Sequence, residues 1–174
     1  MEGGTFKVGD IAVYPAYGVA VVEQIERREV NGCSQSFYVL RILDNDVTIM
    51  VPTENAEKIG MRQLISKRKV SEVYKVLKDF DSANLDTSET WNRRYRNYRQ
   101  KLRSKEILDV ASVLRDLYLL SEQKELSTGE KRILDSAKNL IVKEISFACQ
   151  KEETKVWAEI ENIFKNGHRK KKKK

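Results

Sequence analysis

The sequence predicts an α+β protein in which a small N-terminal antiparallel β-barrel of SH3-like type precedes an all-α helical domain. Three observations carry that expectation. Short β-branched and aromatic runs separated by turn residues fill residues 11–52, and after Gly60 a helical periodicity replaces them. Both prolines, Pro15 and Pro52, and six of the eight glycines lie within residues 1–60. The charge changes at the same place: residues 1–62 hold six cations against nine anions, net −3, and residues 63–174 hold 27 against 17, net +10. The expected division is therefore a first domain over 1–60, a helical domain over 61–166 and a disordered basic tail over 167–174.

Taken in order, the strand candidates are IAVY from Ile11, GVAVVEQIE from Gly18, SFYVLRIL from Ser36 and DVTIMV from Asp46. Asn31-Gly32 between the second and third is a hairpin signal, because a type I′ turn needs positive φ at both central residues. Asp44-Asn45 is the expected next turn. In the expected barrel, Tyr38, Leu40, Ile42, Ile49 and Val51 alternate across a sheet, and most of them read as core. An exposed edge strand bearing Leu40 or Met50 would suit strand addition by a partner, and the alternation does not say which strand is the edge.

Beyond Gly60, Val70, Val73, Val76 and Leu77 form one helical stripe. A polar connection over Asp81–Ser88 leads to a helix from Trp91 to about Arg103, with Thr87 or Ser88 as its cap. Ser104 is the expected cap of the next, whose apolar residues from Ile107 to Leu120 cover most of its circumference and make it the central buried helix. Ser127-Thr128-Gly129-Glu130 matches a capping box, in which the Ser and Glu side chains satisfy each other's backbone N–H groups. A last helix is expected over Glu152–Phe164, followed by six consecutive cations, Arg169–Lys174, whose mutual repulsion favours disorder.

Catalysis fails on inventory. His168 is the only histidine and sits beside the lysine run, so no Ser-His or Cys-His pair is expected. Ser127–Lys131 lacks the spacing of a phosphate loop. Cys33 and Cys149 stand alone, which fits reduced thiols and neither a disulfide framework nor a metal knuckle. No apolar run approaches the roughly 20 residues of a membrane helix, and MEGGTFKVGD has no signal-peptide core. No enzyme activity, cofactor, metal, membrane or small-molecule substrate is expected, and the expected location is the cytoplasm, at the nucleoid.

The net excess of +7 favours a polyanionic partner. It is concentrated in Trp91–Lys105, which contains seven basic residues and no acid. On a helix Trp91, Tyr95, Tyr98 and Leu102 share one face, while Arg93, Arg96, Arg99 or Gln100 and Arg103 share its neighbour. Taken blandly, the aromatics are core and the arginines a solvated face. Against that stand the lack of local acids for ion pairs and the first-turn position of Trp91, where a large ring is easily left at a domain edge. A cationic helix ending in an exposed ring is what a minor-groove wedge requires, with phosphates held by Arg and the ring pressed against a base step.

Phe6-Lys7-Val8-Gly9-Asp10, Val13-Tyr14-Pro15, Gly18-Val19, Ser36–Leu40, Val51-Pro52, Thr90–Tyr95, Val113–Tyr118 and Leu126–Arg132 together resemble the CarD/CdnL family of bacterial transcription regulators. The likeness runs in order from about Phe6 to Phe164, and the lysine tail lies outside it. The resemblance implies a Tudor-like N-terminal barrel that docks on the β subunit of bacterial RNA polymerase, a module shared with transcription-repair coupling factors. It also implies a helical domain that contacts promoter DNA at the upstream edge of the bubble and stabilises the open complex. It assigns the wedge to Trp91 and DNA contacts to Asn92, Arg93 and Arg96, with Arg94 and Arg99 as further candidates from the same basic helix. It assigns polymerase contacts to Arg28, Leu40, Met50 and Pro52. Some members have Arg where this chain has Met50, so an ion pair there gives way to an apolar contact. With no phosphate loop, the ATP-driven coupling factors are not expected.

The expected function is thus a non-enzymatic bridge from polymerase to the promoter fork. An autonomous DNA-architectural protein with the barrel as a mere stability module is the alternative. A polymerase adaptor without DNA contact would leave the basic helix a solvated face.

Overall fold

The computed structural model describes residues 6–171, with side chains to residue 167. The chain divides into two compact units, residues 1–64 and 65–174. The class is α+β.

The first unit is a five-stranded antiparallel sheet in the order β4-β3-β2-β1-β5, built from β1 (Ile11–Tyr14), β2 (Gly18–Val30), β3 (Cys33–Ile42), β4 (Thr48–Pro52) and β5 (Arg62–Gln63). The described ladder is open and not a closed barrel, leaving β4 and β5 as the two edges. Asn31 and Gly32 close the β2–β3 hairpin with φ of 53° and 78°, the left-handed pair that a type I′ turn demands. The hairpin is long, and from Glu23 outward β2 is mostly exposed, so its far half carries Arg27 and Arg28 away from the core. Phe6, Val22, Tyr38, Leu40, Ile42 and Val51 are among the residues that fill that core, and Phe6 meets Tyr38 edge-on at 5.8 Å. A short helix α1 (Ala56–Ile59) leads into β5, which the sequence does not announce. Those two residues are a strand because β1 offers them Ala12 and Val13 as partners.

The second unit holds α2 (Lys67–Lys78), α3 (Trp91–Leu102), α4 (Ile107–Ser121), α5 (Thr128–Cys149) and α6 (Glu153–Lys171). The central place of α4 is as expected: it packs against α2, α3 and α5, with Ala111, Val113, Leu114 and Leu117 fully buried. Arg115 and Asp116 are buried beside them as an ion pair at 2.8 Å, and the Arg115 guanidinium also donates to the Ser82 and Val76 carbonyls. That pair fastens the polar connection ahead of α3 to the core.

Three details differ from expectation. Thr90, not Thr87 or Ser88, is the residue before α3, and its side chain makes no capping bond. Ser104 sits three residues before the start of α4; it accepts from the Glu106 N–H and donates to Asp109. The last helix continues through Lys171, so Arg169–Lys171 are helical where disorder was expected. Extending an existing helix costs little, and Lys and Arg are good helix formers, which outweighs like-charge repulsion of a few tenths of a kcal/mol per pair. The rest of the basic run, residues 172–174, lies outside the described residues.

Candidate nucleic-acid interface

The basic helix α3 joins the core cluster through its C-terminal half. Leu102 is buried, and Tyr98 is partly buried against the core cluster. At the other end Trp91 is half-buried and Tyr95 exposed, their rings 5.3 Å apart, and neither belongs to the core cluster. The shared face expected for Trp91, Tyr95, Tyr98 and Leu102 therefore splits into a core half and a surface half.

The Trp91 indole rests on the first turn of α5. That turn is organised by the capping box: Ser127 Oγ accepts from the Glu130 N–H at 3.2 Å, and the Ser127 N–H donates to Glu130 Oε2 at 2.8 Å. Glu130 is fully buried and also takes Arg94 Nη1 at 2.9 Å and Lys124 Nζ at 3.2 Å. Burial pushes its carboxyl up, but the Ser127 N–H, Arg94 and Lys124 together outweigh it and hold the group at about 2.

This arrangement changes the status of Arg94. Its side chain is only 12% exposed, its guanidinium carbon lies 5.5 Å from the centre of the Trp91 ring, and its charge is committed to Glu130. It supports the site from behind, with little of its side chain left at the surface. A count of acids within Trp91–Lys105 misses this partner, which comes from a distant helix. Arg93 also has an acid nearby, Glu89 at 3.2 Å, but it is an exposed i,i+4 pair of the kind worth only tenths of a kcal/mol.

Asn92, Tyr95, Arg96, Arg99, Gln100 and Arg103 line a shallow open concavity on the solvent side of α3. Arg99 lies over the Tyr95 ring at 5.7 Å and Arg96 has no ion-pair partner among the described residues. The surface thus combines Trp91 at the helix start with a row of exposed cations and one stacked aromatic. Tyr95 and Arg103 join the candidates proposed from sequence; the three- and four-residue spacing from Trp91 and Arg99 was the signal for them. Among the described residues no group of three or more His, Cys, Asp or Glu is placed to hold a metal, and no helix is long and apolar enough to cross a membrane.

In the first unit the four polymerase candidates separate. Met50 is 36% exposed and lies on the edge strand β4, opposite Val39. Pro52 ends that strand, a position where a missing N–H costs no ladder bond. Arg28 is exposed on the outer half of β2, held by Glu26 at 2.8 Å. Leu40 is fully buried on β3, an interior strand, so it is a core residue and not a contact surface. Its side chain points to the covered face with Tyr38 and Ile42, as the period-two alternation requires.

The titration of Glu130 makes a testable prediction. Its folded carboxyl stands at about 2 against an ordinary 4.5, so its contribution is complete above pH about 4.5 and is lost as pH falls towards 2. That shift corresponds to about 3 kcal/mol. Thermal melting across this range should fall less steeply for Glu130→Gln than for the native chain, with the variant already less stable at pH 7. Parallel curves for the two proteins would contradict the assignment.

Two family models match the chain: the CarD-like/TRCF RID domain over residues 6–65 and the CarD C-terminal domain over residues 72–161. A curated relative, "Putative transcription factor YdeB" of Bacillus subtilis (strain 168), is 29% identical over 140 residues, spanning 80% of this chain and 90% of the relative. Among solved structures, CdnLNt from Myxoccoccus xanthus is 49% identical and covers 38% of this chain and 94% of its own, with a TM-score of 0.32.

Proposed function

Since this chain belongs to the CarD/CdnL family of transcription regulators, we propose that it stabilises the open promoter complex as a non-enzymatic bridge between RNA polymerase and DNA. The observation that carries this reading is the surface of α3: a half-buried tryptophan at its start, outside the core, followed by exposed cations. Asn92, Arg93, Arg96 and Arg99 hold phosphates on either side of the groove, and Trp91 presses on a base step at the upstream fork. Arg94 contributes by fixing the indole.

The first unit takes the polymerase β subunit. Its β4 edge has an unpaired side, so a strand of the partner adds to the sheet there, with Met50 and Pro52 giving selectivity and Arg28 contributing charge from the hairpin. Each contact is modest alone. Tethering raises the effective concentration of DNA seen by the helical unit once polymerase is held. The setting is the bacterial nucleoid.

Phosphate contacts from α3 have a specific signature. Arg96→Gln should weaken DNA binding on all sequences alike and reduce the slope of log affinity against log salt by about one unit. A salt titration with an unchanged slope would remove Arg96 from the interface.

A further inference from the structure

Gly129 occupies the first turn of the 22-residue helix α5, where glycine has no conformational use. It is absent from the positive-φ glycines, and in helical backbone almost any other residue makes a more stable turn. Its use is spatial. A Cβ placed on it would fall inside the van der Waals shell of Trp91 Cζ2 and lie 3.1 Å from Cη2 and 3.3 Å from Cε2. These atoms belong to the six-membered ring of the indole, which therefore lies directly on backbone. The next residue, Glu130, holds Arg94 at 2.9 Å, and Arg94 in turn lies against the same ring. Adjacent residues of α5 thus fix the indole twice, Gly129 by having no side chain and Glu130 through a guanidinium.

We infer that Gly129 is a positioning residue for Trp91, setting the depth and tilt at which the ring meets DNA, and that Arg94 belongs to this support. The inference rests on the proposed role of Trp91 at the fork. In Gly129→Ala the added methyl displaces the ring from its seat, while the cations of α3 remain.

The test uses the full chain with Trp157→Phe, which leaves Trp91 as the only indole, because the sequence has 2 tryptophans. Gly129→Ala, Trp91→Ala and the double variant are compared in binding to a forked promoter duplex, in Trp91 emission where the ring remains, and in melting temperature. Gly129→Ala should shift the emission maximum and lose most of the fork affinity that Trp91→Ala loses. In the Trp91→Ala background it should leave affinity unchanged and raise the melting temperature slightly, because the space is then open and Ala is the better helix former. If Gly129→Ala alone does not fold, the double variant should fold, since it removes the clashing ring. An unshifted emission, an equal affinity loss with and without Trp91, or a double variant that stays unfolded would overturn the inference. Loss of fork binding in Trp91→Ala with none in Gly129→Ala would overturn positioning alone. Unchanged fork binding in Trp91→Ala would overturn the wedge reading and the positioning with it.

Discussion

Trp91→Ala should shorten the lifetime of the open promoter complex while the helical unit stays folded. Stacking of one ring against bases is worth about 1–3 kcal/mol, so the expected shortening is about 5- to 150-fold. The structural ground is the position of the ring. Trp91 lies on Gly129 at the edge of its unit and outside the cluster formed by residues such as Leu114, Leu117 and Ile141. Removing a half-buried ring costs about 1–2 kcal/mol of stability, against about 3–5 kcal/mol for truncating a core aromatic. Melting curves distinguish the two cases: a loss in the core range, with no separate change in the open complex, would return Trp91 to a packing role.

A charge placed on the β4 edge should have the second large effect. Met50→Glu should reduce polymerase capture by at least about 30-fold, the size of a 2 kcal/mol interface residue. Met50 is 36% exposed in the free protein, so the substitution introduces no buried charge there and the sheet should melt normally. DNA binding by the helical unit should be unaffected. Leu40→Ala supplies the contrast. Leu40 is fully buried, and its truncation should cost about 2–5 kcal/mol and lose capture only through unfolding. Capture by pulldown, read beside the melting curves, separates a contact residue from one that holds the sheet.

The elements whose signals are local were legible in the sequence. Asn31-Gly32 names its turn because few other residue pairs accept positive φ twice, and the structure gives both residues that conformation. The capping box at Ser127 and Glu130 is equally local, and both of its bonds form. What could not be read depends on distant parts of the chain. Alternation along β3 marks Leu40 as one of an alternating set without saying that β4 would cover its strand edge. Arg94 reads as one cation of a basic helix until folding brings Glu130 to it from α5. Gly129 looks like a weak spot in a helix start, and only the arrival of the Trp91 ring explains it. β5 is two residues long and has no pattern of its own.

The central claim is that stabilisation of the open complex requires one chain to hold polymerase and DNA together. It is tested most directly by in vitro transcription with open-complex lifetime as the readout, comparing the native chain with Met50→Glu, whose DNA-binding surface is intact. An effective concentration exists only while both contacts hold, so Met50→Glu should lose stabilisation in step with its loss of polymerase capture. Full stabilisation by a protein that no longer captures polymerase would contradict the bridge and leave a DNA-architectural protein in its place.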